Sequence, residues 1–253
     1  MEALPYTDSH GIRIHYQVEG NGPPLVMQHG FTSSSNAWSQ FGYVQGLCRD
    51  YRCILLDARG HGASDKPHDP AAYALTNRVA DVVAVLDALR IQQANFLGFS
   101  MGGWIGFGMA KYAPERINAL LIVGAHPYAD PSWDAFRNVD GTDPGAFLAA
   151  LESVLEQRIP TELRPLVLTN DLRALAAAAQ ERPALDDVLP TLAMPCLLIV
   201  GEDDARCPAV RECARHLSDA TVVALPGLKH TESFIRSDLV LPHVKRFLAG
   251  IQS

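Results

Sequence analysis

The chain has 253 residues, 48% hydrophobic and 19% charged, which is enough to bury a large core in one domain with room for a modest insertion. Twenty-one basic against 28 acidic residues give a formal charge of −7, which argues against a nucleic-acid protein and against simple electrostatic docking on anionic lipid. The composition excludes a disordered chain, and five cysteines (Cys48, Cys53, Cys196, Cys207, Cys213) without paired short spacing exclude a disulfide framework, so a reduced, cytoplasmic protein is expected.

The opening residues, Met1 to Asp8, have neither a basic nor an apolar leader region. Ile12 to Val18 alternates apolar and polar residues and predicts a strand with one buried face. Gly20-Asn21-Gly22 then turns the chain. Six short apolar runs follow: Leu25–Met27, Cys53–Leu56, Ala94–Leu97, Ala119–Val123, Cys196–Val200 and Thr221–Leu225. They do not alternate, which is the pattern of strands buried on both faces of a parallel sheet. Helices are predicted over Thr76–Leu89, Trp104–Tyr112, Val210–Leu217 and Leu239–Leu248, the last starting near Leu241 because Pro242 lies inside it. Strand and helix alternate, so the class is α/β with a mostly parallel sheet. No apolar run reaches the roughly 18 residues of a membrane helix; the uncharged stretch Asn95–Ala110 is too short and holds five glycines.

One segment breaks the alternation. From Pro127 to Ala193 no buried strand is evident. Thr142-Asp143-Pro144 predicts a capped helix to about Arg158, and Asn170 a cap for a second helix to Glu181. The expected organisation is a core of residues 1–126 and 194–253 with a helical cap insertion over residues 127–193. Insertions after strand C-termini sit over the ligand edge of open α/β sheets.

The strongest chemical signal is Gly98-Phe99-Ser100-Met101-Gly102, between a predicted strand and a predicted helix. Such a turn lifts a serine hydroxyl above the sheet edge, and its crowding requires glycine on either side. A serine hydroxyl needs a base, and the base an orienting acid. His230, in Gly227-Leu228-Lys229-His230, follows the Thr221–Leu225 run, and Gly201-Glu202-Asp203-Asp204 follows the Cys196–Val200 run. Asp203 and Asp204 compete for the acid, with Glu202 a third option. His29-Gly30-Phe31 places a glycine where backbone must approach a reacting carbonyl, so the N–H groups of Phe31 and Met101 are the candidate oxyanion hole.

With Asp57-Ala58-Arg59-Gly60-His61-Gly62-Ala63-Ser64 added, these motifs make nearly the whole chain resemble the α/β-hydrolase superfamily, in its serine-nucleophile esterase and lactonase branch. The resemblance implies a twisted, mostly parallel sheet of about eight strands flanked by helices, with a small helical cap. It puts the catalytic acid three residues after Gly201, at Asp204, beside Ser100 and His230. It implies that Asp57, Arg59 and His61 are architecture. Serine at position 100 sets the chain apart from the aspartate-nucleophile dehalogenases and epoxide hydrolases of this fold, and Met101 stands where a halide-binding tryptophan would. Lys229 adjoins His230, a feature of hydroxynitrile lyases, but precedes it. The pocket candidates are His29, Trp104, His126, Tyr128 and Trp133, with Phe99 and Phe136 as further aromatics near it.

No metal-ligand spacing and no phosphate or dinucleotide loop appears, so no metal and no cofactor is expected. The expected reaction is hydrolysis of a small or medium uncharged acyl ester, or a lactone, through an acyl-enzyme, since no separate patch for a charged head group is evident. A carbon–carbon bond hydrolase or perhydrolase on the same triad, and a small-molecule receptor with slow turnover, are the alternatives. The expected partner is a small ester-type molecule, not nucleic acid or membrane, and a homodimer is compatible with these features.

Overall fold

A computed structural model describes residues 6–251. Met1 to Pro5, part of the opening stretch read for a leader, and the last two residues of the expected core lie outside them. Eight strands form one sheet: β1 (Tyr6–Ser9), β2 (Ile12–Glu19), β3 (Pro24–Gln28), β4 (Arg52–Leu56), β5 (Ala94–Phe99), β6 (Ile117–Val123), β7 (Cys196–Gly201) and β8 (Ala220–Leu225). Their order is β1-β2-β4-β3-β5-β6-β7-β8. The first two pairings are antiparallel and all others parallel. The helices are α1 (Asn36–Gln40), α2 (Tyr43–Leu47), α3 (Leu75–Ala88), α4 (Met101–Tyr112), α5 (Pro144–Leu155), α6 (Arg164–Leu168), α7 (Leu172–Ala179), α8 (Cys207–Arg215), α9 (Glu232–Ile235) and α10 (Ser237–Gly250).

Successive strand residues feed opposite faces, as the two-residue repeat of a strand requires. Val26, Ile54, Leu56, Phe96, Ile122 and Leu198 join α3, α4 and α8 on one side. Leu25, Met27, Leu55, Leu97, Leu121 and Ile199 join α1, α2, α9 and α10 on the other. The unbroken apolar runs are thus explained by burial on both faces. Thr221–Leu225 departs from that reading. Its strand, β8, pairs only with β7 and is half exposed, with Val222 37% accessible, because it is the sheet edge.

Several helix boundaries also differ from expectation: α4 begins at Met101 and α8 at Cys207, ahead of the predicted Trp104 and Val210, and α5 ends at Leu155 rather than near Arg158. The last helix begins at Ser237 and runs through Pro242, not from Leu241. Pro242 lies past the first turn and forgoes the one intrahelical bond its nitrogen would make, yet the helix continues through it. The cap of α7 is Asp171, whose carboxylate accepts from Ala174 N–H at 3.0 Å. Asn170 instead donates to Val167 O at 3.0 Å and to Thr32 O at 3.4 Å. Asp143 caps α5 as its Asp-Pro pair predicts.

Residues 127–193 leave the sheet after β6 and return at β7, building α5, α6, α7 and short 3-10 turns. They carry a core of their own, in which Trp133, Phe136, Phe147, Leu151 and Leu175 pack together. Phe31 from the β3 loop reaches into it, edge-on to Trp133 and Phe136. Arg78 of α3 ties the two parts: it donates to Tyr73 O at 2.8 Å and to Ala178 O of α7 at 2.6 Å. Among the described residues, no helix is long and apolar enough to cross a membrane.

The loop after β4 is held from within. Arg59 makes two bonds to Asp81, of 2.7 and 2.6 Å, with both side chains buried. Truncating one partner of a buried pair strands the other's charge. Asp81→Ala is therefore expected to cost about 3–5 kcal/mol, read as a lower denaturant midpoint at unchanged slope.

Candidate active site

Ser100 occupies the turn between β5 and α4. Its φ of 50° and ψ of −112° are outside the common regions for a residue with a side chain. The turn survives because its neighbours are bare. A Cβ on Gly102 would lie 2.0 Å from Gln28 O, and one on Gly98 would lie 2.4 Å from Gly102 O. The start of α4 is thereby pressed against the end of β3. Ser100 N–H donates to Val123 O at 2.8 Å, fixing the turn to β6.

His230 lies beyond β8, over Gly124, where a Cβ would come within 3.1 Å of its ring. Phe99 stacks against that ring at 5.1 Å. Its Nε2 is 2.9 Å from Ser100 Oγ, and its Nδ1 is 2.7 Å from Asp204 Oδ2. Asp204 Oδ1 accepts from the backbone N–H and the guanidinium of Arg206, at 3.1 and 3.3 Å. Asp203 and Glu202 are exposed; Glu202 faces Arg211 at 3.5 Å. So the fold brings Ser100, His230 and Asp204 into one hydrogen-bonded line and leaves the competing acids in water. Lys229 is exposed, its side chain turned to solvent.

The β3 loop passes close to the hydroxyl. A Cβ on Gly30 would sit 3.5 Å from Ser100 Cβ. Thr32, next but one, holds φ at 62°, a costly value for a branched side chain. Met101 is the first residue of α4, so its N–H has no partner within the helix.

Ser100 opens on a small cavity of about 30 Å³. Trp104, His126, Tyr128 and Trp133 line it. His29 does not, and its assignment to the pocket is corrected. It is fully buried beneath the loop: Ala58 N–H donates to its Nε2 at 3.1 Å, and its Nδ1 lies 2.8 Å from Gly30 O. Burial also lowers its pKa. Phe99 and Phe136 are likewise outside the lining, in the packing behind it.

Three charged residues line the cavity that sequence reasoning did not assign to it: Asp130, Arg182 and Arg206. Arg206 donates to Val154 O at the end of α5 and lies 3.6 Å from Asp130. Only Asp130 carried a local signal, since Asp130-Pro131 is a cap signature. That signal marks a helical turn, not a lining residue.

A family model described as the alpha/beta hydrolase fold matches residues 23–163, more than half of the chain. The chain belongs to the α/β-hydrolase fold family. Full-length similarity agrees. A Bacillus subtilis (strain 168) protein provisionally named 2-succinyl-6-hydroxy-2,4-cyclohexadiene-1-carboxylate synthase is 28% identical over 99% of this chain and all of its own. The enol-lactonase from Burkholderia xenovorans LB400 superposes with a TM-score of 0.81 at 25% identity, over 97% of this chain and 100% of that one. An esterase from Rhodococcus sp. ECU1013 does so with a TM-score of 0.83 at 25% identity, over 99% of this chain and 100% of that one.

The electrostatics of this α/β hydrolase suit a neutral base held by an ionised acid. Burial lowers the His230 pKa below 6.5, and the Arg206 charge adds to the lowering; the hydrogen bond and charge of Asp204, with the charge of Asp130, offset them only in part. Burial works to raise the pKa of Asp204, but His230 and Arg206 bring it below the ordinary carboxylate value. A base must be deprotonated to act. Activity is therefore expected to hold from pH 8 down through neutrality and to fall only below pH 6.5. Arg206→Gln removes a cation that disfavours the imidazolium, so its acidic limb should move to higher pH. A kcat/KM profile of both proteins reads this.

Proposed function

We propose that this chain is a cofactor-independent serine hydrolase that cleaves a small to medium acyl ester or a lactone. The observation that carries this reading is the continuous line from Ser100 through His230 to Asp204. Ser100 Oγ attacks the carbonyl while His230 Nε2 takes its proton. Asp204 holds Nδ1–H, fixes the tautomer and offsets the charge of the imidazolium. The N–H groups of Phe31 and Met101 receive the oxyanion, each worth about 3 kcal/mol in comparable sites. His230 returns the proton to the leaving group, and a water that it activates then releases the acyl group. The glycines at positions 30 and 102 support this arrangement by letting backbone approach the serine. The enol-lactonase and the esterase accord with ester chemistry.

The cavity holds only a water or two. An acyl group therefore needs the cavity to widen. Hydrolysis of p-nitrophenyl esters from acetate to decanoate tests the proposal, and the chain-length optimum measures the pocket when open. No turnover on any ester, lactone or carbon–carbon substrate, together with ligand-induced thermal stabilisation, would show a receptor instead.

A further inference from the structure

Arg182 is the cavity's unusual residue. Its guanidinium carbon lies 3.7 Å from the centre of the Trp133 ring and 4.7 Å from that of Trp104. Its Nη1 is buried and has no hydrogen-bond partner. The acids nearby are already engaged. Asp204 is held by His230 and Arg206, and Asp130 accepts from Ser132 and faces Arg206. Arg182 has no ion pair among the described residues. A second cation, Arg78, stands 5.7 Å from the Trp104 ring, bonded to two carbonyls and to Met101 Sδ but to no carboxylate.

A desolvated cation without a counter-ion is costly. Aromatic faces recover part of that cost and leave the guanidinium edge free. That edge matches a carboxylate with two parallel bonds, a fit that a lysine lacks. Arg182 lines the same small cavity as Ser100. On an ordinary neutral ester such an arrangement would have nothing to recognise.

Building on the serine-hydrolase reading, we propose that the substrate carries a free carboxylate in addition to its scissile ester or lactone bond, and that Arg182 is the residue that recognises it. The two aromatic rings hold the guanidinium flat while the carboxylate docks. The reacting carbonyl is then set over Ser100, and the products of hydrolysis are a dicarboxylate and an alcohol or, from a lactone, one hydroxy-dicarboxylate.

The test compares p-nitrophenyl hemiglutarate with p-nitrophenyl valerate, which differ only by carboxylate against methyl at the far end, each corrected for spontaneous hydrolysis. Wild type should favour the hemiglutarate in kcat/KM. In Arg182→Gln the ratio of the two should fall by about 10- to 100-fold, chiefly through KM, as expected for losing a charged hydrogen-bond pair. Arg182→Lys should recover part of it and guards against a folding defect in the first variant. Wild type favouring valerate, with the ratio unmoved by Arg182→Gln, overturns the proposal while leaving serine hydrolysis standing. If wild type turns over neither ester, the hydrolase reading fails, and melting temperature decides. Glutarate, but not glutaramide, should then stabilise wild type and stabilise Arg182→Gln less; equal shifts, or none, overturn the proposal.

Discussion

Ser100→Ala is expected to lower kcat by about 10⁴-fold or more on any ester that the wild type cleaves. Its hydroxyl is the nucleophile of the proposed reaction, and its hydrogen-bond partner is His230 Nε2. Removing it leaves the turn intact. The strained backbone conformation is the same for alanine, and the Ser100 N–H bond to Val123 O does not involve the side chain. The melting temperature should therefore stay near that of the wild type. Near-full turnover in this variant would refute the serine mechanism, and a burst of p-nitrophenol in wild type, absent in Ser100→Ala, would show the acyl-enzyme directly.

Asp204→Asn should cost about 10⁴-fold in kcat as well, by a different route. An amide in place of the carboxylate no longer offsets an imidazolium, and its NH₂ can hold the wrong tautomer of His230. It also removes the nearer of the two carboxylates paired with Arg206, at 3.3 Å, so some loss of stability should accompany the loss of rate. Asp203→Asn is the control: that side chain is exposed, and its change should leave kcat within about twofold, since surface substitutions away from special features are nearly neutral. Equal losses in the two variants would move the acid's role away from Asp204.

The legible part of the molecule was the part where one local rule dominates. Leu25–Met27 and Cys196–Val200 announce doubly buried strands because nothing polar interrupts them, and Gly98 to Gly102 announces the elbow because only glycine fits there. Spacing alone did not choose between Asp203 and Asp204. The structure separates them by direction: the first turns to water and the second lies under His230. His29 stands among the pocket candidates, yet its ring turns inward to serve the Ala58 amide. Arg182 gave no sign. Its setting is made by Trp104 and Trp133, 78 and 49 residues away in the chain, and no periodicity reports a side chain sandwiched by such partners. The strand Tyr6–Ser9 was missed for a related reason: it is a short edge strand whose pairing with Ile12–His15 is the main thing that defines it.

The three aligned side chains arrive in the order nucleophile, acid, base, and synthesis runs in that same direction. A chain made only as far as β7 already holds the residues of the serine elbow and of the strands that flank it, β3, β5 and β6. It still has no group to take the serine's proton, because His230 comes only after the edge strand β8 has joined. The hydroxyl therefore lacks its proposed base until the segment after β8 is in place. A turnover assay on refolding protein would accordingly time the docking of that segment rather than formation of the serine turn.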